Sequence, residues 1–206
     1  MQKEDLIETL KHQDFSKKIL DAFSKVRREH FLPDQLKECA YSNTALPIGS
    51  GQTISQPYTI AVMLSMLDLR RNQKVLEIGS GSGYVLALLS EIVGDKGRVF
   101  GVERIQNLVE RSIKALREYK NVQIYLANGK NGLIEESPFD RILISAACKK
   151  IPDVLLSQLK DKGIAVAPVY NENNSQDLVA IKKSGGNITI KETIPGFVFV
   201  PFVEED

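Results

Sequence analysis

Residues 75–83 read Val-Leu-Glu-Ile-Gly-Ser-Gly-Ser-Gly, and an acidic residue, Glu103, closes the next strand-like run, Val99-Phe100-Gly101-Val102. Residues of these types at this spacing can hold an adenosyl ligand. Glycine lets a turn close tightly and lets the backbone lie directly against a ligand, so Gly79, Gly81 and Gly83 predict a ligand-bearing loop. A carboxylate at Glu103, one strand further on, is placed to accept hydrogen bonds from ribose hydroxyls. The dinucleotide pattern puts its last glycine one position later, where this chain has Tyr84. That shift points to an adenosyl ligand without a pyrophosphate, and S-adenosylmethionine is the expected one. An ordinary Gly-rich strand-to-helix turn is the alternative for the glycines alone, and Glu103 weighs against it.

The elements that must position these residues follow from periodicity. From about residue 74, β-branched runs alternate with helix-patterned ones. Strands are expected at Val75–Ile78, Arg98–Glu103, Val122–Leu126, Arg141–Ser145 and Ile164–Val169. Helices are expected at Tyr84–Val93, Ile105–Tyr119 and Pro152–Leu159, the second on the spacing of Ile105, Leu108, Val109, Ile113 and Leu116. Asp95-Lys96-Gly97 and Asp161-Lys162-Gly163 read as turns. Such alternation implies a parallel sheet covered on both faces, with ligands at the carboxyl ends of its strands. The glycine loop, Glu103, Asn128 and Ser145-Ala146 all fall at that edge. Leu178–Lys182, Ile188–Glu192 and Val198–Val203 have no helix between them and predict an antiparallel finish. Ahead of residue 74, Phe15, Ile19, Phe23 and Val26 share a helical face that Phe31-Leu32-Pro33 ends. Ala45–Ser55 reads as an irregular loop, and Ser55 is placed to cap a helix over Pro57–Leu67.

Composition narrows the function classes. The 206 residues suit one domain with a single core. A formal net charge of +1 gives no global attraction to nucleic acid or to an anionic membrane. The longest apolar stretch, Ile60–Leu67, is too short to span a bilayer, and no apolar leader follows the polar start. Cys39 and Cys148 lack metal-ligand spacing and His12 and His30 are the only histidines, so no metal site is expected. His30 and Cys39 read as packing residues, Cys148 as a small partly buried one, and Arg27-Arg28 and Arg70-Arg71 as solvated helix ends. The resulting expectation is a cytoplasmic, metal-free, monomeric protein.

The run Leu46-Pro47-Ile48-Gly49-Ser50-Gly51-Gln52-Thr53-Ile54-Ser55-Gln56-Pro57-Tyr58 resembles the signature loop of protein-L-isoaspartate O-methyltransferases. Arg28-Glu29-His30-Phe31-Leu32-Pro33, Val75–Tyr84, Pro138-Phe139-Asp140 and Phe199-Val200-Pro201-Phe202 resemble other segments of that family, so the likeness covers nearly the whole chain. It implies a Rossmann-like α/β methyltransferase with a mostly parallel sheet, antiparallel C-terminal strands and an N-terminal helical cap. Residues 1–73 would be the cap and substrate loop, and 74–206 the cofactor-binding core, of one domain.

Residue by residue, the resemblance implies that Thr53, Ile54 and Ser55 line the place where cofactor and substrate meet, with Ser55 catalytic. Glu77 and Gly79 would lie beside the methionine portion of S-adenosylmethionine, with Gly81 and Gly83 in the same loop. Glu103 would hold the ribose, Asn128 and Gly129 the adenine, and Val200 and Pro201 the peptide. The family usually has Gly-Asp-Gly where this chain has Ala127-Asn128-Gly129, and exchanging that carboxylate for an amide costs on the order of 1 kcal/mol. Many members carry an arginine where this chain has Val198.

The implied reaction is methylation of the free α-carboxylate of L-isoaspartyl residues in damaged proteins, leading through a succinimide partly back to aspartate. A carboxylate is already ionised at neutral pH, so this chemistry asks for alignment and not for a base. Two alternatives stay open at this point. One is a methyltransferase of the same fold acting on another small-molecule or peptide acceptor. The other is a cofactor-binding homologue without turnover.

Overall fold

The computed structural model describes residues 1–203. Its N-terminal part comprises α1 (Lys3–Lys11), α2 (Lys17–Lys25), an antiparallel hairpin of β1 (Leu46–Gly49) and β2 (Gln52–Ile54), and α3 (Pro57–Met66). There follow β3 (Lys74–Ile78), α4 (Tyr84–Val93), β4 (Arg98–Glu103), α5 (Gln106–Ala115), β5 (Val122–Leu126) and β6 (Phe139–Ile144). The chain continues with α6 (Asp153–Ser157), β7 (Leu159–Tyr170), β8 (Gln176–Ser184) and β9 (Asn187–Phe197).

Strands β3 to β9 form one seven-stranded sheet in the order β5-β4-β3-β6-β7-β8-β9. The first five in that order are parallel, and β8 and β9 add antiparallel. The chain therefore steps outward from β3 to β5, then returns to lay β6 on the other side of β3. A right-handed crossover changes face when its direction reverses. Accordingly α4 and α5 pack on one face with the N-terminal helices, through Leu86, Leu89 and Leu108, while Leu155 of α6 packs on the other. Val75 and Leu143 point to the first face and Leu76, Ile78, Ile142 and Ile144 to the second. Burial on both faces explains why these strands read as continuous apolar runs. The reversal opens a crevice at the carboxyl ends of β3 and β6, where ligands of such sheets bind.

Several elements differ from the sequence expectation. Residues 45–55 are not irregular: positive φ at Gly49, Ser50 and Gly51 (93°, 54° and 70°) turns the chain so that Pro47 pairs with Thr53. Ser55 does not cap α3, whose cap position is Gln56 with no side-chain bond to the helix backbone. Helix α2 ends at Lys25, and Arg28–Phe31 forms a separate 3-10 turn. Asp161-Lys162-Gly163 lies inside β7 as a bulge, where pairing steps from Phe139–Leu159 to Arg141–Ile164 and Lys162 takes φ of 62°. Ile113 is 54% exposed, outside the buried stripe of α5. Residues 198–203 make no strand; Pro201 forms a single parallel bridge to Ala147. His30 and Cys39 are exposed, whereas Cys148 is buried. No helix among the described residues is long and apolar enough to cross a membrane.

Arg28 is the largest departure, since it is fully buried and not a solvated helix end. Nη1 donates to the carbonyls of Ala40 and Ser42 (3.1 and 3.2 Å), and Nη2 to those of Thr44 and Ser55 (3.2 and 3.1 Å). Its guanidinium also lies 5.8 Å from the centre of the Tyr84 ring, which packs on Phe23 and Phe31. Arg28→Met should cost about 3 kcal/mol or more of stability in urea unfolding, because it strands buried carbonyls. A loss below about 1 kcal/mol would show that water reaches those carbonyls and that the anchor is dispensable.

Candidate active site

The floor of the crevice is the loop after β3. Its shape is fixed by left-handed φ at Gly79, Gly81 and Gly83 (77°, 52° and 86°) and by N–H groups of Gly79 and Ser80 donating to the Val102 carbonyl (2.8 and 3.2 Å). A Cβ on Gly81 would stand 3.2 Å from Cδ1 of Ile48 in β1, so the hairpin lies directly over the loop. Gly83 serves packing instead, because a Cβ there would meet Leu116 at 2.6 Å and Ser112 at 3.1 Å. It is the one loop glycine that does not line the cleft.

Glu103, 6% exposed, ties the loop to the neighbouring strand. Its Oε2 accepts from Gly81 N–H and its Oε1 from Ile105 N–H, both at 2.9 Å. Each carboxylate oxygen retains a second acceptor position, so both can still take a hydroxyl. Glu77, 1% exposed, sits on the same wall and accepts from Ser145 Oγ through Oε1 at 2.7 Å. Its Oε2 has no partner although it is buried. Burial pushes the Glu77 carboxyl up to about 8; the Ser145 bond lowers it less than burial raises it, and nearby Glu103 raises it further.

The cleft so bounded encloses about 880 Å³ including its open mouth. Thr53, Ile54 and Ser55 form one side and Val200 to Val203 the other. Arg111 Nη1 bonds the Ile48 carbonyl (2.7 Å) and holds the hairpin to α5. Ser55 is half-buried, its carbonyl held by Arg28, and no described residue bonds its hydroxyl. Gly129 lines the cleft with its Cα close to Ile78, where a Cβ would fall 2.4 Å from Cγ2. Asn128 lies just behind it and does not line the cleft; its Oδ1 accepts from Lys130 N–H at 3.0 Å. A second groove, about 1290 Å³ including its open mouth, runs past Gln56, Tyr58, Pro195 and Phe197. Thr53, Ser55, Ser145 and Val200 line both cavities. His30 lines neither, and sits in a separate basic depression with Arg27, Lys37 and Arg117.

The whole chain, residues 1–206, matches the family described as Protein-L-isoaspartate(D-aspartate) O-methyltransferase. The chain belongs to this family. A protein-L-isoaspartate O-methyltransferase of Ignicoccus hospitalis is 42% identical over 99% of this chain and 98% of its own length. One of Fervidobacterium nodosum is 44% identical over 95% and 98%. Among solved structures, a protein-L-isoaspartate O-methyltransferase superposes with a TM-score of 0.90 at 28% identity over 97% of this chain, which spans 65% of that one. A Plasmodium falciparum candidate for the same activity, in complex with S-adenosyl-L-homocysteine, gives 0.86 at 24% identity and 98% coverage of both chains.

A member of this family is an S-adenosylmethionine-dependent methyltransferase, and the cleft fits that cofactor. Gly79 and Gly81 leave room for a ligand against the backbone, Glu103 offers two pre-positioned acceptors, and Glu77 carries a buried oxygen without a partner. Among the described residues no group of three metal-ligating side chains occurs. The sequence signals missed Ile48 and Gln52 on the hairpin and Phe202 and Val203 opposite, all of which line the cleft. None of the four has a side chain that by type announces this chemistry, and only the three-dimensional crossing of the two segments reveals them.

Glu77 gives the cleft a pH dependence with a definite sign. A ligand of net positive charge favours the ionised carboxylate, so binding must release a proton wherever the ligand-free acid is protonated. Affinity for S-adenosylmethionine should rise from pH 6 to about 8, the Glu77 value, and level off above it. Calorimetry in two buffers of different ionisation enthalpy should detect the released proton. Glu77→Gln should abolish both effects; the same profile in that variant would assign the titration to another group.

Proposed function

We propose that this chain transfers a methyl group to the free α-carboxylate of L-isoaspartyl residues in peptides and damaged proteins, opening the route to a succinimide. The observation that carries this reading is the neck between the two cavities, where Thr53, Ser55, Ser145 and Val200 face both. When bound, S-adenosylmethionine supplies a methyl on a sulfonium, which a carboxylate oxygen takes to give a methyl ester and a thioether. The chain's own residues supply alignment. Glu103 holds the ribose hydroxyls, Gly79 and Gly81 form the floor, Gly129 backs the adenine end with Asn128 behind it, and Glu77 lies beside the methionine end. Gly83 contributes by setting α4 against α5.

Substrate enters along the second groove, bounded by Val200 and, at the cleft end, by Pro201. Ser55 acts as a hydroxyl donor to the peptide carboxylate, with Thr53 and Ile54 shaping the neck. Its loop is immobilised through Arg28, which preserves the alignment that in-line attack requires. Ser55 is not a covalent nucleophile, since no histidine lies at the neck to activate it. No proton has to leave an ionised carboxylate, so no general base is required. The protein works in this reading as a single-domain monomer in the cytoplasm, without nucleic acid or membrane partners.

Ser55→Ala should lower kcat at least tenfold with nearly unchanged affinity for S-adenosylhomocysteine, the signature of a lost alignment contact. Single-turnover rates at saturating cofactor should be nearly flat between about pH 6 and 9. A steep limb near pH 7 in the chemical step would reveal a base and defeat the mechanism.

The substrate assignment has its own test. Isoaspartate routes the backbone through the side-chain carbonyl and leaves the α-carboxylate on a shortened arm. A site that fixes the peptide on one side and the methyl donor on the other reaches only one of the two carboxylate positions, and misplacement by about 1 Å costs on the order of a hundredfold. An isoaspartyl peptide should be methylated at least about a hundredfold faster in kcat/KM than its aspartyl twin. A labelled methyl donor, paired peptides and mass spectrometry for ester and succinimide would decide. Equal rates on the two isomers would refute the repair reading.

A further inference from the structure

Three hydroxyls and one apolar side chain make the neck, and the hydroxyls are not equivalent. Thr53 and Ser55 belong to the hairpin and the turn after it, whereas Ser145 stands at the end of β6, in the interior of the sheet. The Ser145 N–H donates to the Ile78 carbonyl at 2.9 Å, so its backbone is held by β3. Two residues on, the Ala147 N–H donates to the Val200 carbonyl and the Ala147 carbonyl accepts from the Phe202 N–H, both at 2.8 Å. Ser145 is therefore the most firmly placed polar group at the neck.

Its hydroxyl is also committed in direction. A serine hydroxyl has one hydrogen and two acceptor positions. Ser145 gives that hydrogen to Glu77 Oε1 at 2.7 Å, leaving only lone pairs for anything that reaches the neck. Once a cationic ligand holds Glu77 ionised, its buried Oε2, without a partner, adds a second acceptor behind it. None of the four neck residues is cationic. An anion finds nothing to accept at Ser145, whereas a cation with polarised C–H bonds finds an oriented oxygen. The sulfonium methyl of the cofactor has that chemistry, and its product lacks both the charge and the methyl.

We propose that Ser145, oriented by Glu77, is a further catalytic residue that accepts C–H contacts from the sulfonium methyl and thereby selects the charged methyl donor over its demethylated product. Ser55 and Ser145 then divide the neck by the sense of their hydrogen bonds. Ser55 donates to the incoming carboxylate, and Ser145 accepts from the group to be transferred. Toward Ser145, Glu77 is a positioning residue, in addition to its own charge interaction with the ligand. The role rests on the reading of the cleft as the S-adenosylmethionine site, and adds no proton transfer to the reaction.

The test is a ratio of affinities, not a rate. Calorimetric dissociation constants for S-adenosylmethionine and S-adenosylhomocysteine should be measured on wild type, Ser145→Ala, Ser145→Thr and Ser145→Cys. Ser145→Ala should weaken S-adenosylmethionine about fivefold, the scale of one or two C–H···O contacts, and S-adenosylhomocysteine less than about twofold. Ser145→Thr, which keeps the hydroxyl, should restore the wild-type ratio. Ser145→Cys keeps the size but replaces a strong acceptor by a weak one, so it should shift the ratio as alanine does even if the alanine variant folds poorly. Equal weakening of both ligands in Ser145→Ala and Ser145→Cys would mean that Ser145 only supports the cleft, and would overturn the proposal. An unchanged ratio with a raised KM for the isoaspartyl peptide would place Ser145 on the acceptor and overturn it equally. Wild-type protein that binds neither ligand would refute the cleft assignment itself, a failure distinct from the other two.

Discussion

The guanidinium of Arg28 reaches four backbone carbonyls, those of Ala40, Ser42, Thr44 and Ser55, of which Ser42 also accepts from the Thr44 N–H. Irregular segments bring unpaired carbonyls into the interior, and each such group costs roughly 1–3 kcal/mol if nothing bonds it. One buried cation meets that demand at four points. Burial lowers its pKa to about 10, which still leaves it charged at neutral pH. Desolvating a charge costs several kcal/mol, offset here by charge-assisted bonds and by the Tyr84 ring 5.8 Å away. A lysine has neither the fork geometry nor the reach for four acceptors. The segment that carries Ser55 is therefore welded to the N-terminal helices, and through Tyr84 to the first turn of α4.

That weld meets the sheet at its reversal. Tyr84 stands where a dinucleotide-binding loop would have glycine, and its ring is buried between Phe23, Phe31 and Arg28. The same residue that departs from the dinucleotide pattern thus joins the cap to the core. Below it, Glu103 fixes the glycine loop through Gly81 and the start of α5 through Ile105. Above it, Arg111 fixes the hairpin through Ile48. Floor and roof of the cleft are each held by an ionised side chain bonded to backbone, which suits a site whose task is alignment.

The sequence made the sheet legible where burial on both faces forced long apolar runs. The buried spans Arg98–Glu103 and Tyr84–Val93 coincide with β4 and α4 to the residue, and Val122–Leu126 coincides with the half-exposed edge strand β5. It was least legible where conformation depends on positive φ or on distant partners. Residues 45–55 look irregular because glycine and serine carry no periodicity, yet their φ values make a hairpin turn. Lys162 looks like a turn residue, and in β7 it becomes a bulge because β6 offers partners on both sides of it. Arg28 reads as a surface charge because no local pattern announces four carbonyls from residues 40 to 55. Ser145 was visible as a rim residue, but its hydrogen-bond sense depends on Glu77 in a different strand.

The substrate groove raises a last point of electrostatics. Its lining includes no charged side chain among the described residues, and Val198 is 92% exposed. A cation there would grip the substrate carboxylate equally before and during attack, which improves binding without lowering the barrier. It would also compete with the sulfonium for the negative charge that has to move toward it. In the proposed mode, hydroxyls from Ser55 and Thr53 would orient a carboxylate with less quenching of its charge, so that more of the attraction between anion and cation is spent on approach. In the proposed reaction the acceptor is already ionised and needs no base, so a groove lining without fixed charge, under a roof that limits water, would favour the approach of anion to cation.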